Sequence, residues 1–83
     1  MRYIKDIANS RFKISIYQWN NKFIIKLESG MYEQTYKIDE YEVTNVEEIE
    51  KCIDNVFIEK VAQRFDLMGD DFMESLRRNE VIF

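Results

Sequence analysis

The chain has 83 residues, 46% of them apolar and 14% aromatic, and a formal net charge of −4. That length allows one domain with a modest core, and the acidic balance weighs against simple duplex DNA binding, which relies on Lys and Arg to neutralise phosphates. A single cysteine and no histidine leave no disulfide framework and remove both the commonest general base and a leading metal ligand.

Residues 1–10 open with Tyr3, Ile4 and Ile7, a pattern that fits either a short strand or a docked arm before Asn9-Ser10. From Arg11 to Trp19 the apolar positions alternate as Phe12, Ile14 and Ile16, and from Lys22 to Glu28 as Phe23, Ile25 and Leu27. Asn20-Asn21 between them supplies the φ > 0 residues of a two-residue turn. That turn pairs Trp19 with Lys22, Tyr17 with Ile24, Ile16 with Ile25, Ile14 with Leu27 and Lys13 with Glu28. Turn chemistry, alternation and a charge pair thus select one register.

Ser29-Gly30-Met31 predicts a second turn and a third strand from about Tyr32 to Asp39, with Tyr36 and Ile38 facing inward and Gln34 a polar interruption of that face. A Gly30-Met31 turn sets Lys22 opposite Asp39, whereas a Ser29-Gly30 turn sets Lys26 opposite Glu33. Both registers keep the same side inward.

At Thr44 the period changes. Thr44 with Glu47, or Asn45 with Glu48, fits a capping box, and the early acids Glu47, Glu48 and Glu50 suit a helix N-terminus. Val46, Ile49, Ile53, Val56 and Phe57 form one apolar stripe; Ile58, Val61, Ala62 and Phe65 form a second, about a quarter-turn round at about 100° per residue. This predicts one long helix over 44–68 serving two neighbours in succession, the sheet first and another partner second. Gly69 reads as its C-cap, and Asp70 or Asp71 as the cap of a short helix carrying Phe72, Met73 and Leu76 before the apolar end Val81-Ile82-Phe83. The expected fold is α+β: a three- or four-stranded antiparallel meander over 1–43, one long helix packed on one face over 44–68, then a short C-terminal helix and apolar tail over 70–83.

Few residues point to chemistry. Asp66, Asp70, Asp71 and Glu74 form the densest acidic group, but their spacing matches no calcium loop, and capping already explains Asp70 and Asp71. Glu50 and Asp54, four apart, read as a solvated face. Cys52 reads as a buried, inert thiol in acidic surroundings. No nucleophile stands beside a recognisable base and no glycine-rich phosphate loop occurs, so neither an enzyme, a metal site nor a cofactor is expected.

The outward face of the sheet is different. By alternation it carries Lys13, Ser15, Tyr17, Trp19, Lys22, Ile24, Lys26, Thr35 and Lys37. Flat aromatics among lysines suit single-stranded nucleic acid, through stacking and phosphate contacts, and Lys13, Tyr17, Trp19, Lys22, Lys26 and Lys37 would make them. Exposed aromatic patches more often mark protein contacts. The preferred reading is therefore a non-enzymatic, self-associating protein-interaction module using Tyr17, Trp19, Ile24, Phe65, Phe72, Leu76 and Phe83, with single-strand binding as the alternative. No segment approaches the roughly 20 apolar residues of a membrane helix, and no signal h-region opens the chain, so the expected location is the cytoplasm. Charge divides unevenly, at +1 over residues 1–44 and −5 over residues 45–83.

The segments MRYIKDI, WNNKFIIKLE and EQTYK resemble a group of small bacterial proteins of about this length. The resemblance covers the sheet and the helix that follows, and it implies no activity and no site residues. In architecture alone, the order of sheet then helix is similar to Pur-type repeats, which bind single strands. The acidic helical half departs from that pattern, and no residue role is carried over.

Overall fold

The computed structural model describes residues 1–82. Four strands, β1 (Arg2–Ile7), β2 (Lys13–Trp19), β3 (Lys22–Ser29) and β4 (Tyr32–Asp39), form one antiparallel sheet in the order β1-β2-β3-β4. A single 3₁₀ turn, Glu40–Glu42, leads to a short helix α1 (Val46–Cys52) and a long helix α2 (Asn55–Arg78). The fold is α+β, with a four-stranded meander; the opening residues form a strand rather than a loose arm.

The central hairpin has the register that its turn dictates. Asn20 and Asn21 take φ of 55° and 60°, and the strands pair Trp19 with Lys22, Ile16 with Ile25 and Lys13 with Glu28. Two consecutive positive φ values match the right-handed twist of the flanking strands. Between β3 and β4 the turn is Gly30-Met31, because Ser29 pairs with Tyr32 and Lys22 with Asp39. Gly30 holds φ of 60°, which a residue without Cβ adopts without strain. At the other edge, Asn9 Oδ1 accepts from the N–H groups of Arg11 and Phe12 at 2.8 and 3.1 Å, closing the loop into β2. The pairing of β1 with β2 shifts between Tyr3 and Lys5, a bulge that leaves Ile4 as the extra residue.

One face of the sheet builds the core. Ile14, Ile16 and Leu27 are essentially sealed from water, and Phe12, Phe23 and Ile25 join Ile49 of α1 and Ile58, Val61 and Phe65 of α2. Gln34, the polar interruption, is buried with its hydrogen bonds made: its Nε2 donates to the Val61 carbonyl at 3.0 Å, and Tyr36 Oη donates to its Oε1 at 2.7 Å. A buried amide is tolerated when its partners are present. Further polar links tie the helices and the 3₁₀ turn to the sheet and its loops: Lys5 with Glu50, Arg11 with Glu59 at 2.6 Å, and Gln18 Nε2 donating to Glu40 at 2.6 Å.

The helical half departs from the expected boundaries. The helix does not run unbroken over 44–68; it stops at Cys52 and restarts at Asn55, so the short helix comes first. Both restarts are capped. Asn45 Oδ1 accepts from Glu48 N–H at 3.1 Å, and Asp54 Oδ1 accepts from Phe57 N–H at 2.9 Å. Glu48 in turn accepts from Thr44 N–H, and this hydrogen bond holds its carboxyl below the ordinary glutamate range. The quarter-turn shift in the apolar stripe is the trace of this break, where the chain re-aims between Ile53 and Asp54, rather than of one helix serving two neighbours. Gly69 is not a cap: it sits within α2, where an added Cβ would lie 3.7 Å from the Tyr32 ring, ordinary contact.

α2 has 24 residues and is therefore about 36 Å long, more than the sheet can cover. The molecule measures 48 × 27 × 18 Å, with a radius of gyration of 15.2 Å. A compact domain of this length would have about 12 Å. The excess length is the far end of α2, which passes the Gly30-Met31 turn and continues to Arg78. It closes on Glu80 at φ 61°, with Val81 N–H donating to the Leu76 carbonyl at 2.8 Å and Glu80 N–H to the Arg77 carbonyl at 3.1 Å. This is the paired hydrogen-bond pattern in which a left-handed residue ends a helix, here without glycine.

Candidate interaction surface

Two regions were expected to make contacts, and the structure treats them unequally. On the outer face of the sheet, parity holds: Tyr17 and Trp19 point away from the helices while Ile14 and Ile16 are buried. The face is not an open platform, however. Tyr3 of β1 lies opposite Tyr17, and their rings meet edge-on at 5.8 Å between centroids. The Lys26 ammonium sits 5.2 Å above the Tyr17 ring. Ser15 Oγ donates to Asp6 at 2.9 Å. Partial desolvation and the nearby Asp6 carboxylate hold the Tyr3 phenol above its ordinary range.

Beneath this layer Ile24 is only 4% exposed, so it is packing rather than contact surface, a correction to its expected role. Its neighbours on β2 and β4 are Tyr17 and Lys37, and long side chains cover a small aliphatic one without any further element. Trp19 alone of the expected aromatics on this face is exposed, at 53%.

The lysines are balanced. Register places Lys13 opposite Glu28 and Lys22 opposite Asp39, and Lys26 lies 3.8 Å from Glu33. With Asp6 opposite Ser15, the face holds four lysines (13, 22, 26 and 37) and four carboxylates (6, 28, 33 and 39).

The second region lies along α2. Phe65, expected as a contact, is instead core, 7% exposed, with its ring 5.2 Å from that of Phe12. Val61 and Phe65 face the sheet from the first half of α2, so the partner sought for that stripe is the sheet itself. Phe72 and Leu76 lie on the same side of the helix, two and three turns on. Phe72 is 55% exposed, with the Tyr32 ring edge-on at 6.5 Å, and Leu76 is half-buried. Phe83, the remaining expected contact, lies outside the described residues.

Two apolar recesses open along β4. One lies beside Tyr32 and is lined by Met31, Met68 and Phe72. The other, of about 250 Å³, lies beside Tyr36 and Ile38 and is lined by Val43, Ile53 and Phe57, with the Tyr36 and Phe57 rings 5.3 Å apart. Cys52, expected to be buried, is an exposed free thiol at the rim of the second. In the sequence Met31 reads as part of a turn, Tyr36 as inward-facing and β4 as a strand, but none of them as contact surface. Tyr36 carried a signal, since a tyrosine on an edge strand beside an interrupting glutamine leaves that end of the core face thinly covered.

Among the described residues no three His, Cys, Asp or Glu side chains group to hold a metal ion, and no helix is long and apolar enough to cross a membrane. No family model, curated protein or solved structure matches the chain.

Proposed function

We propose that the protein is a small, non-enzymatic, cytoplasmic interaction module that contacts another protein through the flank formed by β4 and the far half of α2. One observation carries the reading: the apolar stripe that seals the core at Val61 and Phe65 continues through Phe72 and Leu76, where Tyr32 at the end of β4 meets it and Phe72 stays 55% exposed. Apolar surface left uncovered on an otherwise packed stripe is what a partner removes from water. The polar side-chain contacts described above are caps, turns, cross-strand pairs and ties between helix and sheet, all of which stabilise the fold. An exposed free thiol at Cys52 suits a reducing compartment.

Affinity capture from cytoplasmic extract, comparing the wild type with Phe72→Ser, tests this. A partner held by the wild type and lost by the variant is expected. An unchanged set of captured proteins would remove the flank from consideration.

The alternative, single-strand binding on the outer face, draws on exposed Trp19 opposite Lys22, with Lys26 further along β3. The four matching carboxylates and the occupied Tyr17 ring give it less support, because phosphate binding needs uncompensated positive charge. Titration with an oligonucleotide at low salt decides: undiminished Trp19 fluorescence closes that route.

A further inference from the structure

The two edges of the sheet are unlike. β1 has six residues and a bulge, devices that blunt an edge. β4 has eight residues, pairs with β3 without interruption, and contains no proline. Its free side is set by the Gly30-Met31 turn. A two-residue hairpin closes on a hydrogen-bonded pair, here Ser29 with Tyr32, and alternation then directs the backbone groups of Gln34, Tyr36 and Ile38 toward β3. Those of Glu33, Thr35 and Lys37 point away from the sheet. All three residues are exposed.

From this edge we infer that a second copy of the chain docks antiparallel along β4, with the two-fold axis through Thr35. Charge selects that register. With Thr35 at the axis, Glu33 of each copy faces Lys37 of the other, twice. Centring on Glu33 or on Lys37 sets like charges face to face at the axis. Centring on Tyr36 sets Glu33 against Asp39, and centring on Gln34 leaves Glu33 against Thr35 with no ion pair. Opposite charges directly across strands stabilise a pair, and like charges destabilise it.

The same register serves the apolar surface. It sets Tyr32 across from the second copy's Ile38 on the helix-bearing face, and Gln34 across from the second copy's Tyr36. The two recesses flank Thr35 on opposite sides along β4, one beside Tyr32 and one beside Ile38. The two-fold therefore brings the Met31–Phe72 recess of one copy against the Val43–Phe57 recess of the other. Exposed Phe72 gains a neighbour of the right chemistry, and one isologous contact covers the open edge, both recesses and the uncovered stripe.

The inference rests on reading this flank as a contact surface, and purified protein tests it separately. Glu33→Lys gives a chain with lysine-type charge at both positions, and Lys37→Glu gives one with carboxylates at both. By sedimentation equilibrium the wild type should be a dimer at high micromolar concentration. Each variant alone should dissociate about tenfold more readily or worse, and an equimolar mixture of the two should recover wild-type affinity. Thr35→Pro removes one outward N–H and leaves the β3 pairing intact, so it should give a folded monomer by circular dichroism and mass. A monomeric wild type, a mixture that fails to recover, or a folded Thr35→Pro dimer would each overturn the proposal. A monomer would leave capture of a different protein, through Phe72, to decide the broader reading.

Discussion

From Asn55 to Phe65, α2 presses Ile58, Val61 and Phe65 onto the sheet, and all three are buried; from Asp66 to Arg78 the same stripe runs on through Phe72 and Leu76, and Phe72 stays 55% exposed. Sequence pattern is alike in the two halves. What differs is the floor beneath them, since the sheet ends at the Gly30-Met31 turn, level with Tyr32. Periodicity says which side of a helix is apolar; it does not say how far the neighbouring element reaches. A stripe that outruns its floor is either a stability cost or a contact surface.

The sharpest way to break the comparison is truncation at the two phenylalanines. Phe65→Ala should destabilise the fold by about 3–5 kcal/mol, because it opens a cavity against Phe12. Phe72→Ala should change monomer stability by under about 0.5 kcal/mol. Equal losses in urea unfolding at low protein concentration would show that the far half is as tightly packed as the near half.

A smaller effect sharpens the near end. Asp54→Ala removes the side-chain acceptor for Phe57 N–H and should cost about 1 kcal/mol. A negligible change in thermal midpoint would mean that the second helix needs no cap to restart. Within the far half, Gly69→Ala should stabilise by about 0.5–1 kcal/mol, since the added methyl meets only the Tyr32 ring at ordinary contact distance. Destabilisation there would reveal closer packing of α2 on Tyr32 than the geometry gives. At the extreme end, Glu80→Gly should add about 0.5 kcal/mol by relieving a left-handed backbone position. A loss instead would indicate that the helix terminus is already frayed.

Much of the sheet was legible in residues 11–39. Asn20-Asn21, the alternation through Ile14, Ile16, Ile25 and Leu27, and the Lys13–Glu28 pair each constrained the same register, and backbone sterics at a two-residue turn leave little freedom. The second turn was legible only to within one residue, because either choice kept the same face inward. In the helices, the phase shift between the Val46 and Ile58 stripes was a true signal, but Gly69 drew the boundary away from Asp54. Glycine is a common helix terminator, and only the surroundings show when one is simply a weak interior residue. Among the candidate contacts, Trp19, Phe72 and Leu76 stand at or near the surface, while Ile24 and Phe65 are packed away, since exposure depends on what else arrives from distant parts of the chain.

By itself, then, the sequence determined the local quantities: strand parity, the first hairpin's turn, a cap at Thr44 or Asn45, and the apolar side of each helix. These follow from backbone sterics and side-chain reach over a few residues. Only the tertiary structure decided that the second helix outruns the sheet, that carboxylates from three strands neutralise the outer lysines, and that β4 is left as the smooth, unblunted edge. Those are properties of how elements end relative to one another, set by the packing of residues far apart in the chain.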